Sequence, residues 1–307
     1  MENDAINTCW YTIFNPTSGG GMNQNKIDRI LSYLKLNDIS YQFVQTQYAH
    51  HEETLVQTAI QQGYVKFICI GGDGTIHHMI NGIMKQQYTD SINIKLAVIP
   101  TGTGNDWVKH YAIPKDPKKA ILLIKNNKSI LQDIGKINFL QNDKVTYFNN
   151  VAGIGFDAFV VKNISSYKKW GSLAYLIAAL SSFKSFKKSK VTYIVDSVTY
   201  KSFLFLFSIG ICRYAGAGMQ FTDFKNHKSG FFDFTMIKSI SLFSVISQIL
   251  KLYNGNISKV KETDCIHVKK FELCQNKSCY IQADGELIGK GDAVFTLLPN
   301  AIQLITS

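Results

Sequence analysis

Three glycine-rich segments of this chain contain the residue types that bind phosphate. They are Asn15–Gly21, Gly71–Thr75 and Pro100–Asp106. Glycine lets the backbone approach an anion closely, and a helix that begins after such a turn offers free N–H groups and the positive end of its dipole. Asp73 adds a hard oxygen ligand of the kind that Mg²⁺ prefers. Together these residues predict binding of a nucleoside triphosphate with Mg²⁺.

Each of these loops has a simpler interpretation when it is taken alone. Asn15–Gly21 also fits an ordinary strand-to-helix turn, and Asp73 is also a favourable acid at a helix start. Asn105 and Asp106 precede a helical turn, so they are also candidates for simple N-capping. Three such loops at the ends of three predicted strands favour a shared functional site.

The elements that must position these loops alternate between strand and helix. The predicted strands are Cys9–Phe14, Ile39–Val44, Phe67–Ile70 and Lys95–Ile99, and the predicted helices are Lys26–Leu36, His51–Gln62 and Thr75–Lys85. This alternation predicts a parallel, doubly wound sheet that binds its ligands at the carboxyl ends of its strands. The three glycine-rich loops follow three of those ends.

The pattern changes after residue 128, where short runs of aromatic and β-branched residues predict the strands of a β-sandwich. We therefore predict an α/β domain over residues 1–128, with a tail near 297–307 that packs back on it, and a sandwich over 129–296. Two helical insertions are expected, at Lys162–Phe183 and Leu242–Asn254. The other predicted strands are Ile130–Ile137, Val145–Asn150, Val191–Val195, Phe203–Ile211, Phe232–Ile237, Phe271–Leu273, Cys279–Ala283 and Ala293–Leu298.

Composition narrows the class of protein without choosing a partner. Of the 307 residues, 46% are hydrophobic and 18% are charged, as in folded globular proteins. The net charge of +11 suits nucleic acid, an anionic membrane or an anionic cosubstrate. The sequence has no RNA-binding signature, zinc-finger spacing or long basic block, so nucleic acid is the least favoured partner. The polar N-terminus and the short apolar runs predict a cytoplasmic protein.

Residues 162–190 are the predicted point of peripheral contact with an anionic membrane. An apolar face recurs at helical spacing, and Trp170 and Tyr175 are residues of interfacial type. A core-facing helix with solvated ends is an equally good interpretation. The apolar face comprises Leu173, Leu176, Ile177 and Leu180, and the flanking lysines are Lys168, Lys169, Lys184, Lys187, Lys188 and Lys190.

Six segments together resemble the diacylglycerol-type lipid kinases, which include bacterial diacylglycerol kinases and the sphingosine and ceramide kinases. The resemblance covers nearly the whole chain in order and spacing. It implies a phosphofructokinase-like α/β domain followed by a β-sandwich, with the nucleotide in the cleft between them. The segments are NPTSGGG (15–21), GGDGTIHHMINGI (71–83), IPTGTGNDW (99–107), FNNVAGIGFDA (148–158), WGSLAYLIAAL (170–180) and ADGE (283–286).

The resemblance also implies roles for individual residues. Asp284 matches the proposed general base that accepts the proton of the lipid hydroxyl, and Glu286 matches a neighbouring acid. Asp-Gly is also a common hairpin turn, and both interpretations can hold together. Asn149, Gly153, Gly155 and Asp157 match a loop near the acceptor. The resemblance implies a central catalytic role for Asp73 and Mg²⁺ ligands at Asp73, Asp106 and Asp133. The implied ATP-binding residues are Asn15, Gly19, Gly71, Gly72, Gly74, Thr75, Thr101, Gly102, Thr103 and Asn105.

One loop departs from the family pattern. Many bacterial relatives have an acid that holds a structural Mg²⁺ directly before the glycine of a G-x-x-D strand, whereas this chain has Ser229 before Gly230–Asp233. Asp223 and Lys225 replace the usual Pro and Ala upstream. We therefore expect no structural ion here, with Lys225 and Lys228 as alternative sources of positive charge.

The sequence leaves several functions open. A lipid kinase that phosphorylates diacylglycerol is the leading hypothesis. An NAD kinase is the nearest enzymatic alternative, because it shares the GGDGT loop. A non-catalytic lipid- or nucleotide-binding protein is the third, because of Ser229. A homodimer formed through an exposed sandwich edge is compatible with the sequence.

Overall fold

The computed structural model describes residues 6, 8–21, 24–164, 166–167, 174–223, 229–238, 241, 251–274 and 278–307. The chain forms two compact units. One consists of Met1–Asp133 with Pro299–Ser307, and the other of Ile134–Leu298. The predicted fold class, an α/β domain followed by a β-sandwich, is confirmed.

The first unit is built on a parallel sheet whose strands lie in the order β2 (Tyr41–Gln45), β1 (Trp10–Phe14), β3 (Lys66–Gly71) and β4 (Lys95–Pro100). The end of the last strand of the chain pairs in parallel with β4, with Gln303 opposite Lys95. The helices are α1 (Gln24–Leu36), α2 (His51–Gln61), α3 (Asp73–Lys85), α4 (Asp106–His110) and α5 (Pro117–Asn126).

The strand order creates a switch point between β1 and β3. The chain leaves β1 towards β2 on one side and leaves β3 towards β4 on the other. In sheets of this kind, ligands bind outside the carboxyl ends of the strands at such a point. Strand β3 forms the centre, because Phe67, Ile68 and Ile70 are fully buried. The loops that begin at Asn15 and Gly71 therefore start where this architecture favours a ligand.

The second unit packs two sheets around an aromatic core. One sheet is antiparallel, with its strands in the order β12 (Thr263–Val268), β11 (Phe232–Ile237), β10 (Leu206–Gly210), β7 (Val151–Gly155), β14 (Tyr280–Ala283) and β15 (Glu286–Lys290). The other sheet contains β13 (Lys270–Cys274), which pairs with β8 (Ser189–Val195) and β16 (Ala293–Ile305). Phe271 of β13 lies 5.6 Å from Phe207 and 5.1 Å from Phe234, as ring centroids, which joins the two inner faces. Further elements are β5 (Ser129–Phe139), β6 (Val145–Phe148), α6 (Phe156–Asn163), α7 (Ala174–Ser182) and β9 (Val198–Leu204).

Two predictions about this unit were wrong. The run Phe203–Ile211 is not one strand, because β9 ends at Leu204 and β10 begins at Leu206. The glycine-rich segment 151–155, interpreted as part of a loop, is strand β7 in the middle of its sheet. Gly153 is needed there because a Cβ would collide with the Asp157 carboxylate. Most of the predicted insertion 242–254 lies outside the described residues.

The insertion predicted over 162–183 corresponds to parts of two helices, α6 and α7. Its residues Trp170, Leu173, Lys168 and Lys169 lie outside the described residues. Helix α7 packs into the core of the unit through Ala178, which is fully buried, while Leu180 is 37% exposed. Of the other members of the predicted apolar face, Leu176 and Ile177 are half-buried, so the described part of this face is only partly covered.

Ala112→Gly is expected to stabilise the first unit. Ala112 is exposed, follows α4 and has a φ of 52°, a left-handed conformation that costs an alanine about 1 kcal/mol. We expect the free energy of unfolding in urea to rise by about that amount. Ala120→Gly, at a buried position inside α5, should lower it. A loss of stability in Ala112→Gly would contradict the assignment.

Candidate functional site

The three glycine-rich loops of the first unit meet at the switch point. The Thr101 N–H donates to the Gly71 carbonyl oxygen at 2.8 Å, and the Thr101 hydroxyl donates to Ser18 Oγ at 3.3 Å. A Cβ on Gly102 would lie 2.6 Å from the Gly72 Cα, and one on Gly19 would collide with the Thr101 carbonyl oxygen. These contacts need glycine, and they bring the backbones of all three loops together.

Asn15 organises the first loop and reveals a residue that sequence reasoning missed. Asn15 Oδ1 accepts hydrogen bonds from Thr17 N at 2.9 Å and Thr17 Oγ1 at 2.8 Å. Asn15 Nδ2 donates to Glu52 Oε1 at 2.9 Å, and Glu52 is only 1% exposed. Burial, and then the charges of Glu52 and Asp73, raise the pKa of the Cys69 thiol. The Asn15 N–H also donates to the Ile70 carbonyl oxygen at 3.2 Å, which places this loop beside the end of β3.

Asp73 links the second loop to the third. Its Oδ2 accepts from Asp106 N at 3.1 Å and its Oδ1 from Trp107 N at 3.4 Å, so this carboxylate caps helix α4. The hypothesis that Asn105 caps this helix with its own side chain was wrong. Asn105 has a φ of 52° and its Nδ2 donates to the Gly102 carbonyl oxygen at 2.7 Å. The sequence contained no local signal for a cap that comes from another helix.

The other predicted residues of this unit differ in their placement. Gly71 packs against the buried Thr75, because a Cβ added to Gly71 would lie 2.5 Å from the Thr75 Cβ. Gly74 lies in the first turn of α3. Thr103 is exposed. Asp133 accepts from Asn300 N at 2.9 Å, where the last strand adopts a φ of 52°. Among the described residues no three His, Cys, Asp or Glu side chains form a metal-binding group, so Asp133 does not join Asp73 and Asp106 in one.

Asp284 and Glu286 lie in the second unit, at the hairpin between β14 and β15. Asp284 and Gly285 have φ values of 52° and 85°, which confirms the predicted hairpin turn. The Asp284 carboxylate accepts three backbone hydrogen bonds, from Asn149 N at 3.1 Å, Asn150 N at 2.9 Å and Val151 N at 3.2 Å. Glu286 follows as the first residue of β15 and is half-buried. The hairpin thus holds one carboxylate firmly against the start of β7.

Asp157 is a buried acid in the first turn of α6. It is 6% exposed, and Gln282 Nε2 donates to its Oδ2 at 2.6 Å. Burial raises the pKa of Asp157 to about 6, and the hydrogen bond from Gln282 opposes part of that rise. The position of Asp157 was expected near a functional loop, but its bond to Gln282 was not foreseen.

Asp157→Asn is expected to make stability less dependent on pH. The pKa of Asp157 is higher in the folded protein than in the unfolded chain, so the folded protein binds the proton more tightly. The free energy of unfolding therefore falls as pH rises from about 4 to 6 and the proton is lost. At pH 7.5 the cost is on the order of 3 kcal/mol. Urea unfolding should therefore show a gain for Asp157→Asn at pH 7.5 that is absent at pH 4. Equal differences at both pH values would contradict this account.

In the segment that departs from the family pattern, a buried acid lies close to a histidine. Asp233 is 3% exposed, and its Oδ1 lies 3.2 Å from His267 Nε2 of the neighbouring strand. Ser229 lies in a turn with Gly230, whose φ is 78°. Lys225 and Lys228 lie outside the described residues.

Comparison with known proteins gives concordant results. The family model of the diacylglycerol kinase catalytic domain matches residues 10–137, and that of the YegS C-terminal NAD kinase beta sandwich-like domain matches residues 150–306. A diacylglycerol kinase of Mycobacterium tuberculosis is 25% identical over 296 residues, which cover 95% of this chain and 93% of that protein. One of Staphylococcus carnosus is 26% identical over 298 residues, covering 96% and 94%.

A solved structure supports the fold. The crystal structure of a diacylglycerol kinase from Bacillus anthracis superposes with a TM-score of 0.71 at 18% identity, covering 98% of this chain and 97% of that one. The two family models follow each other along the chain in the order of the two units described above. On these grounds the chain belongs to the diacylglycerol kinase family of lipid kinases.

Proposed function

We propose that this protein transfers the γ-phosphate of ATP to the hydroxyl group of a lipid, most simply diacylglycerol, which gives phosphatidic acid. The observation that carries the proposal is the junction of three glycine-rich loops at the switch point of the sheet. Gly72 and Gly102 pack so closely that a Cβ on either would lie within 2.9 Å of the other's Cα. At such a junction, backbone N–H groups rather than side chains can contact a polyphosphate.

The residues of the first unit fit a nucleotide and Mg²⁺. The buried Asn105 Oδ1 has no hydrogen-bond partner among the described residues, which suits a site that a ligand completes. Asp73 and Asp106 are the proposed Mg²⁺ ligands, because one or two carboxylates with phosphate oxygens satisfy this ion. The hydrogen bonds from Asp106 N and Trp107 N hold the Asp73 carboxylate beside the start of the helix that carries Asp106. Bound Mg²⁺ would neutralise charge on the transferred phosphoryl group.

The hairpin of the second unit is the proposed site that activates the lipid hydroxyl. In the proposed reaction, a bond forms between the lipid oxygen and the γ-phosphorus, the bond to ADP breaks, and Asp284 takes the hydroxyl proton. Three backbone N–H groups hold the Asp284 carboxylate in place, so little reorganisation is needed. Glu286 is the proposed neighbouring acid. The acceptor domain is then the unit Ile134–Leu298, and the nucleotide domain is the other unit.

Transfer of labelled γ-phosphate from Mg-ATP tests the proposal. The acceptors are diacylglycerol, phosphatidylglycerol, sphingosine, ceramide and undecaprenol in mixed micelles. NAD is included because the family model of the second unit carries an NAD kinase-like description. We expect one lipid to be labelled, most simply diacylglycerol. Label in NAD alone, or ATP binding with no transfer to any acceptor, would overturn the proposal.

A basic and aromatic face of the second unit is the proposed contact with an anionic membrane. Among the described residues no helix has the length and apolar character to cross a bilayer. Phe203 of β9 is 62% exposed and pairs directly with Lys190 of β8, so the two side chains share one face, and Lys201 joins them two residues away. An aromatic ring among lysines is typical of interfacial contact.

Reversing two charges on this face is expected to weaken membrane binding. Each lysine near an anionic surface contributes about 1 kcal/mol, so Lys190→Glu with Lys201→Glu should lower binding at least roughly 30-fold. The measurement is sedimentation with vesicles of phosphatidylcholine and phosphatidylglycerol, compared with phosphatidylcholine alone. The matched control reverses Lys35 and Lys125, which are exposed on α1 and α5. Equal loss in both pairs would show a general charge effect and no specific face.

A further inference from the structure

A buried hydrogen-bonded pair in the second unit has no part in the proposed chemistry. Asp157 and Gln282 are 6% and 4% exposed, and Gln282 Nε2 donates to Asp157 Oδ2 at 2.6 Å. Burying a carboxylate is costly, and a buried polar pair is retained where it defines a geometry. The rise in the pKa of Asp157 to about 6 reflects that cost.

The neighbouring strand is shaped to admit this pair. Gly153 of β7 lies opposite Gln282 of β14 in the sheet. A Cβ on Gly153 would collide with the Asp157 carboxylate and lie 2.7 Å from Gln282 Nε2. Any other residue at position 153 would therefore displace the hydrogen bond between the two side chains.

The other end of the Gln282 amide reaches the hairpin turn. Gln282 Oε1 accepts from the Gly285 N–H at 2.9 Å, while its Nε2 is held by Asp157. Since an amide presents oxygen on one side and nitrogen on the other, the acceptor at Asp157 determines which atom faces Gly285. The β14–β15 pairing also shifts register between Ile281 and Gln282, so the ladder alone does not define this turn.

We infer that Asp157 is a positioning residue for phosphoryl transfer, because through Gln282 it holds the turn that carries Asp284. This inference rests on the proposed function. Asp157 orients the Gln282 amide, the amide holds Gly285, and the carboxylate of Asp284 keeps its place against the start of β7. A displacement of about 1 Å in a reacting group costs as much as 100-fold in rate.

The hydrogen bonds that link Asp157 through Gln282 to Gly285 form a relay. Four variants test it, namely Asp157→Leu, Gln282→Met, their combination and Asp157→Asn. We expect each of the first two to lower kcat about tenfold with an unchanged KM for ATP, because Asp157→Leu removes the acceptor that orients the Gln282 amide and Gln282→Met removes the amide itself. The combination should be no slower than either, because both changes break the same relay. Asp157→Asn keeps an acceptor oxygen and should stay within about twofold of the wild type. Asp196→Ala removes a surface carboxylate that accepts from Lys269 N and Lys270 N, and serves as the control.

Amide hydrogen exchange of the peptide that contains Gly285 is a second measurement, and it does not depend on turnover. Exchange should accelerate in Asp157→Leu and Gln282→Met and should not accelerate in Asp157→Asn or Asp196→Ala. Losses that multiply in the combined variant, a kcat for Asp157→Asn as low as for Asp157→Leu, or unchanged exchange would each overturn the relay. A wild-type protein that phosphorylates no lipid would overturn the proposed function instead, and exchange at Gly285 would then decide this inference.

Discussion

Asp73→Asn should lower the rate of lipid phosphorylation about 100- to 1000-fold, the cost of removing one group that stabilises developing charge. The variant removes the negative charge from the proposed Mg²⁺ ligand and keeps the size of the side chain. It also turns an NH₂ group towards Asp106 N or Trp107 N, both of which now donate to the carboxylate. The lost cap should cost about 1 kcal/mol, a few degrees in Tm. The initial rate with saturating acceptor and the Tm are measured together.

Asp116→Ala is the matched control for that experiment. Asp116 also caps a helix, since its Oδ1 accepts from Lys118 N at 3.0 Å at the start of α5. Its loss should lower Tm by a similar amount and leave the rate nearly unchanged, because it lies outside the three glycine-rich loops. If Asp73→Asn lowered the rate no more than Asp116→Ala does, Asp73 would be a helix cap with no role in phosphoryl transfer.

Asp284→Asn should lower the rate by about 100- to 10,000-fold, the range for loss of a general base. It should also destabilise the second unit by about 1 to 3 kcal/mol. One of the three backbone donors at Asn149, Asn150 and Val151 would then face an NH₂ group. Loss of activity alone therefore does not distinguish a base from a residue that holds the turn.

The acidity of the acceptor separates these two roles. A diacylglycerol analogue with fluorine beside its free hydroxyl loses its proton more easily and needs a base less. If Asp284 accepts the proton, the variant should lose much less activity with this analogue than with diacylglycerol. An equal loss with both acceptors would show that Asp284 only maintains the turn.

Local sequence rules were sufficient for much of the fold. Alternation of apolar strands with amphipathic helices predicted the parallel sheet, because period and length are properties of each segment alone. The glycine-rich loops could be assigned to strand ends for the same reason. The Asp-Gly turn before Glu286 was also recognisable, because a two-residue hairpin depends on φ values that these residue types adopt readily. Strand β7 was missed, because Gly153 makes room for the Asp157 side chain rather than forming a turn.

The sequence by itself therefore determined the fold class, the family and the loops at which phosphate chemistry is expected. Only the tertiary structure decided how the acids are held. In the sequence, Glu52 looks like any exposed acid in a first helical turn, and only the folded sheet places Asn15 within hydrogen-bond distance of it. Asp73 caps a helix that begins 33 residues later, and Gln282 reaches Asp157 across 125 residues. Strand order and register set these contacts, and neither is a property of a local segment.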